Sequence, residues 1–244
     1  MIKAGISLAL ALFVSLPAAA QSTVKLTTLD WCPYTCAVAP DGGVNTVIVR
    51  EAFKAVGYQV EIQFLPWQRV MATAKGSSDV AGYFPEYPGE RDGFALSPAI
   101  GTGPLGLILR KGSTPPAPTA EAIKGLKLGV VSGYINAAPV TAAIAAGLKP
   151  EEAVSDVLNI RKLAAGRIDA AEIDRFVFDY LLRTDPALAD VKNSVSFALP
   201  LEDLSLHVAF NTTDHGRKIA VLFAEGLAKI DAKRMQRDYF AMTQ

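Results

Sequence analysis

Four aromatic residues stand where a small molecule is commonly met. Trp31, Tyr34, Trp67 and Tyr83 fall at or just beyond the predicted ends of strands, the edge at which open α/β sheets bind ligands. Their rings can wall a solute that has an apolar face or a cationic group, or they can belong to the core of the lobe behind them. Ser132, Gly133 and Tyr134 form a turn between a predicted strand and helix. The N–H groups of such a turn can face an anionic ligand group; in the alternative reading the turn is structural and Asn136 caps the helix. Asp174 follows an apolar strand, a place for a ligand-facing carboxylate or for a helix cap. Glu86 is either a cleft carboxylate, which would favour a cationic solute, or a solvated loop charge.

Cys32 and Cys36 are the only cysteines. An oxidising compartment favours their pairing as a disulfide that fixes a short loop. The rival is a metal site, but the two histidines, His207 and His215, are far away in sequence, and zinc ordinarily takes four clustered ligands. Both histidines read as structural. The sequence holds no G-x-x-x-x-G-K, G-x-S-x-G or H-E-x-x-H, so phosphate-loop, serine-hydrolase and zincin chemistry have no basis in it. No cofactor or metal is expected.

The chain has 244 residues, half of them hydrophobic, and 24 basic against 24 acidic residues. A zero formal charge without a Lys/Arg run argues against a nucleic-acid partner. At the N-terminus, Lys3 precedes an apolar stretch at 4–16, then Pro17 and Ala18, Ala19 and Ala20. This pattern predicts a signal peptide over 1–20 with cleavage before Gln21. A retained membrane anchor is the alternative, but the apolar run is shorter than the ~20 residues a span needs. The mature protein is therefore expected outside the cytoplasm, in the periplasm, and soluble; a monomer is expected as well.

The elements that must position these residues come in two series. In the first, the pattern predicts strands at 24–29 and 58–64, helices from 44 to Gly57 and from Pro66 to Gly76, and a third strand from 79. A Pro-rich stretch at 111–118 reads as a linker. The second series has strands at 126–131 and 168–173 and helices at 137–146, 160–165 and 175–182. Strands at 194–199 and 204–210, interrupted by Pro200, precede two final helices at 214–229 and 232–242. Two α/β lobes with two chain crossings make a hinge, and a hinged cleft is a common small-molecule site.

In order along the chain stand Trp31-Cys32-Pro33-Tyr34, Pro66-Trp67-Gln68-Arg69, Gly89-Glu90-Arg91, Ala95-Leu96-Ser97-Pro98, Gly129 to Tyr134, and Leu163-Ala164-Ala165-Gly166-Arg167-Ile168-Asp169-Ala170. As an ordered set they resemble extracellular solute-binding protein family 3, which includes the amino-acid-binding components of ABC transporters. The resemblance covers essentially the whole mature chain. It implies a type II periplasmic binding protein fold, with two Rossmann-like lobes joined by a two-strand hinge. One lobe would comprise 21–110 with 203–244, the other 111–202.

The resemblance also implies capture of a small polar solute, an amino acid or related amine or organic compound, and delivery to the membrane permease of an ABC importer, without covalent chemistry. It matches Asp174 to the acceptor of the ligand amine. It places Gly106 where amino-acid binders carry a carboxylate-binding Arg, leaving Arg69 or Arg91 to supply a cation. Two alternatives remain: a dehydratase-like enzyme using Glu86 and Asp174 as acid and base, or a sensory protein presenting its closed form to a receptor.

Overall fold

The computed structural model describes residues 22–243. The expected signal peptide at 1–20 lies outside them. The strands are β1 (Thr23–Thr28), β2 (Gln59–Phe64), β3 (Val80–Glu86), β4 (Phe94–Leu96), β5 (Gly101–Arg110), β6 (Leu128–Val131), β7 (Glu151–Ala153), β8 (Ala170–Asp174) and β9 (Val195–Asn211). The helices are α1 (Val44–Lys54), α2 (Trp67–Gly76), α3 (Ala120–Lys124), α4 (Ala138–Ala145), α5 (Asp156–Ala164), α6 (Arg175–Thr184), α7 (Asp214–Leu227) and α8 (Ala232–Thr243).

The fold is a two-lobe α/β arrangement on a sheet of order β2-β1-β3-β9-β5-β8-β6-β7, with β4 beside β9. Helical crossovers join parallel strands within each lobe: β1 pairs with β2 and β3, and β6 with β7 and β8. The central strands break this pattern, because β9 runs antiparallel to β3 and β5, and β5 antiparallel to β8. The long β5–β9 pairing carries the chain between the lobes and is the two-strand connection expected from the sequence. The largest apolar cluster includes Leu26, Ile48, Phe53, Phe84 and Phe223 of the first lobe. A smaller one, with Leu107, Ile123, Leu128 and Val140, lies in the second.

Four expectations are corrected. Pro200 does not interrupt a strand: β9 is continuous through it. The residue lies where β9 pairs only with β5 and where the register shifts between Leu105 and Gly106, an edge position that tolerates a missing N–H. Pro66 precedes α2 as its cap rather than opening it. The helix expected at 160–165 begins at Asp156, because Ser155 accepts the N–H of Leu158 and caps it. Asn136 is not the cap of α4; that position is Ala137.

The segment holding Trp31 and Tyr34 is shaped by three local devices. Trp31 and Thr35 form an isolated antiparallel bridge, and Cys32 and Cys36 are joined by a disulfide. Gly43, the residue before α1, has no side chain to cap the helix, so Val44 and Asn45 donate their N–H groups to the carbonyls of Pro33 and Tyr34. A Cβ on Gly43 would lie 2.6 Å from the Tyr34 carbonyl oxygen and obstruct this cap. The loop is thus tied to α1 by backbone bonds and cross-linked within itself.

Candidate functional site

The carboxyl ends of the strands in both lobes meet at one surface, and the lobes are closed on each other there. Trp31 and Trp67, both buried, flank the first-lobe side. Tyr134 of the second lobe stands edge-on to both, with ring centroids 6.4 Å from Trp31 and 5.6 Å from Trp67. Tyr34 stacks on Trp31 at 4.8 Å, and Tyr87 meets the same indole edge-on at 5.9 Å. Between the rings and the cleft carboxylates two small spaces remain, of about 20 Å³ and 10 Å³, room for one water each at most, while the outer side of the same rings borders an open groove.

Asp174 ends β8 and caps α6, its Oδ1 accepting N–H bonds from Phe176 and Val177 at 2.8 and 3.2 Å. Its Oδ2 accepts the hydroxyls of Tyr34 and Tyr87 from the opposite lobe, at 3.0 and 3.3 Å. Capping and cross-lobe contact, alternatives in the sequence, are thus performed by different oxygens of one carboxylate. A Cβ on Gly103 of β5 would lie 2.2 Å from that Oδ2, so the contact needs glycine beneath it. Burial pushes the carboxyl up to about 7 despite the bonds that favour its ionised form. Burial foremost, then the nearby Asp174 charge, raises the phenols of Tyr34 and Tyr87 well above their ordinary range.

Glu86 is also buried and heavily bonded. It accepts from the Tyr83 hydroxyl at 2.7 Å, the Tyr87 N–H at 3.0 Å and Arg91 Nε at 2.7 Å. Burial, then the Glu86 charge, raises the Tyr83 phenol strongly. Arg91 extends across the cleft, its Nη2 donating to the Gly133 carbonyl at 2.8 Å, and Gln68 donates to the Ser132 carbonyl at 3.1 Å. Ser132 and Gly133 therefore face the first lobe with their carbonyls. The Ser132 N–H is taken by Ala153 and the Tyr134 N–H by Val131.

The N–H groups at the start of α4 go to protein carboxylates. Ala137 donates to Glu172 at 2.8 Å and Ala138 to Glu202 at 2.9 Å. Desolvation, helped by Glu202 and opposed by the Ala137 N–H, pushes Glu172 up to about 8. Arg69 is exposed on α2. Gly106 lies on β5 against β9, where a Cβ would meet the Leu199 carbonyl oxygen at 2.4 Å. That position has no room for a side chain, and the guanidinium at the cleft is Arg91.

Asp30 lies beside Cys32 and Cys36, but the disulfide consumes both thiols, leaving one carboxylate and no usable metal-ligand set. His207 is held between the Ser97 carbonyl and the Ser205 hydroxyl, each at 2.7 Å.

Tyr87, Asp156 and Glu172 were missed in the sequence. Glu172 had a signal, since it lies two residues before Asp174 in a strand, the spacing that puts side chains on one face. Asp156 is 7% exposed, and desolvation pushes it up to about 7. The Trp31 indole lies close enough to lower that value somewhat, yet its N–H meets no acceptor in hydrogen-bond geometry.

No protein-family model matches the sequence, and no curated protein matches it. Solved structures do match. A histidine kinase sensor domain with similarity to periplasmic binding proteins superposes with a TM-score of 0.71 at 20% identity, over 91% of this chain and 95% of that one. The VFT2 domain of Bordetella pertussis BvgS, as a double mutant, gives 0.71 at 16% identity, over 87% and 90%. An arginine-bound Gly52Ala mutant of the T. maritima arginine-binding protein gives 0.67 at 15% identity, over 86% and 96%. The likeness is one of architecture, and the chain has the two-lobe fold of periplasmic binding proteins.

Proposed function

We propose that this protein is an extracytoplasmic solute-binding protein of the family 3 type, which captures a small polar solute between its lobes and delivers it to the permease of an ABC importer. The carrying observation is that the protein's own groups occupy a ligand-shaped set of positions. Tyr134 lies between Trp31 and Trp67, and two hydroxyls sit on the Asp174 carboxylate. A solute with an apolar body and an amine would replace those contacts one for one as the lobes reopen and close around it. On this reading 21–110 with 203–244 form one lobe and 111–202 the other. Trp31, Tyr34, Trp67 and Tyr134 wall the seat, and Asp174 receives the amine. Arg91, Ser132 and Gly133 supply the polar rim, with Glu86 holding Arg91.

The arrangement favours binding over proton transfer, because Glu86 and Asp174 are each committed to several donors. No described helix is long and apolar enough to cross a membrane. A second reading, a sensor that shows its closed form to a receptor, is favoured by the fact that the lobe contacts are self-supplied and need no solute.

The test is a thermal-shift panel on unfolded, dialysed and refolded mature protein, using amino acids, polyamines, quaternary amines, organic acids and sugars. A solute at 100 times its Kd adds about 2.7 kcal/mol, roughly 5–10 °C for a chain of this length. No shift with any class would reject solute capture. Where a solute binds, solution scattering separates the two readings. A free protein more extended than the bound one supports capture and delivery, and a free protein already compact supports the sensor.

A further inference from the structure

Beside the disulfide loop a groove of about 680 Å³ crosses from one lobe to the other, within the roughly 300–1,000 Å³ of small-molecule sites. Trp31 and Trp67 line it on one side and Tyr134 on the other. The ionisable carboxylates along it are Asp30, Asp156 and Asp185, and among the described lining residues there is no Lys, Arg or His. Two of the three are committed: Asp30 accepts the N–H of Ala37 at 2.9 Å and Asp185 that of Ala187 at 2.8 Å. Asp156 is not. Ser155 performs the capping of α5, and the side-chain donor that favours ionised Asp156, the Trp31 indole, falls short of hydrogen-bond geometry. A carboxylate more than nine-tenths buried with so little compensation is costly unless a partner arrives.

We propose that this groove binds a small organic cation, an amine on an aromatic or alkyl body, with Asp156 as its ionic anchor and Trp31 and Trp67 as its apolar wall. The inference rests on the solute-binding reading and specifies charge and place within it. The anchor differs from Asp174, although Trp31, Trp67 and Tyr134 border both places: a cation held at Asp156 leaves the four donors on Asp174 undisturbed. Indole faces favour a cation over a neutral group of the same shape. The exposed side chains of Val38 and Val154 flank the opening and suit the ligand's apolar end.

The experiment is calorimetric titration of the mature protein with phenethylamine and, as its neutral isostere, 2-phenylethanol. The amine should bind roughly tenfold or more tightly than the alcohol, the scale of one charge-assisted contact. Asp156→Asn should bring the two probes to similar affinity. Val154→Lys changes a side chain that is 79% exposed, so the fold tolerates it. It should weaken the amine several-fold and leave the alcohol unchanged.

Equal binding of the two probes to the wild type, or an amine preference that survives both substitutions, overturns the groove. If the surviving preference vanishes in Asp174→Asn, the cation sits in the interlobe seat, and solute capture stands without the groove. Silence toward both probes, together with a solute found in the thermal-shift panel, has the same meaning.

Discussion

The two walls of the cleft carry negative charge in different ways. On the first lobe, Glu86 is buried but faces a guanidinium, a phenol and a backbone N–H. On the second, Asp156, Glu172 and Asp174 are buried with no Lys or Arg paired to any of them among the described residues. They rely on backbone N–H groups and tyrosine hydroxyls. The first wall is electrically balanced within its own lobe. The second holds acidity that only the opposite lobe, a proton or a cation can offset. A solute that enters between them meets a neutral aromatic surface on one side and an acidic one on the other.

Breaking the balanced wall should cost the most. Arg91→Gln leaves Glu86 buried without its cation and removes the bond to the Gly133 carbonyl. A loss of about 3–5 kcal/mol is expected, read by urea denaturation. A loss below about 1 kcal/mol would mean that Tyr83 and the Tyr87 N–H suffice to hold Glu86, and the two walls would then differ less than their geometry implies.

Asp174→Ala acts on the acidic wall and should cost somewhat less, because it removes a charge instead of stranding one. The loss of the α6 cap is worth about 1 kcal/mol, and leaving the buried Tyr87 hydroxyl unsatisfied, while Tyr34 keeps the Thr102 carbonyl, costs about 1–3 kcal/mol more. The sum is about 2–4 kcal/mol. The same variant should loosen the lobes, since Tyr34 and Tyr87 lose their acceptor across the cleft. A scattering radius unchanged from the wild type would show that the Arg91 and Gln68 bonds, with the packing of Tyr134 on Trp31 and Trp67, keep them shut without it.

The same contrast separates what was legible in the sequence from what was not. Most of the aromatic wall was visible because Trp31, Tyr34 and Trp67 follow strands whose alternation or apolar run is strong, whereas Tyr83, expected at a strand end, lies within β3 and is wholly buried behind Trp67. The acidic wall was mostly hidden. Asp156 was lost because apolar spacing placed the helix start at 160, whereas Ser155 sets it four residues earlier. β7 has three residues, two of them Glu, too short for any periodicity. Pro200 looked like a stop because its backbone penalty is local, while its tolerance depends on which half of β9 has a second neighbour. The bond from Tyr34 to Asp174 joins residues 140 apart, and only closure of the lobes creates it.

The smallest signal is a slope in pH, and it isolates the acidic wall. Burial raises Asp156 and Asp174 to about 7 and Glu172 to about 8, whereas such groups titrate near pH 4 in an unfolded chain. Between about pH 4 and 8 the folded protein therefore binds more protons than the unfolded one, and linkage makes its stability fall as pH rises. The contribution of these groups is complete below the unfolded values and is lost as pH passes through the folded ones. Tm should accordingly be higher at pH 5 than at pH 8.5, and Glu172→Gln, which keeps an acceptor for the Ala137 N–H, should flatten part of that slope. Because other groups titrate in the same range, the informative quantity is the difference between variant and wild type. Identical slopes would mean that Glu172 ionises at no cost in its place beside Glu202, and the acidic wall would then reduce to Asp156 and Asp174. A bound organic cation should flatten the slope in the wild type as the substitution does, because it stabilises the ionised carboxylates that burial disfavours.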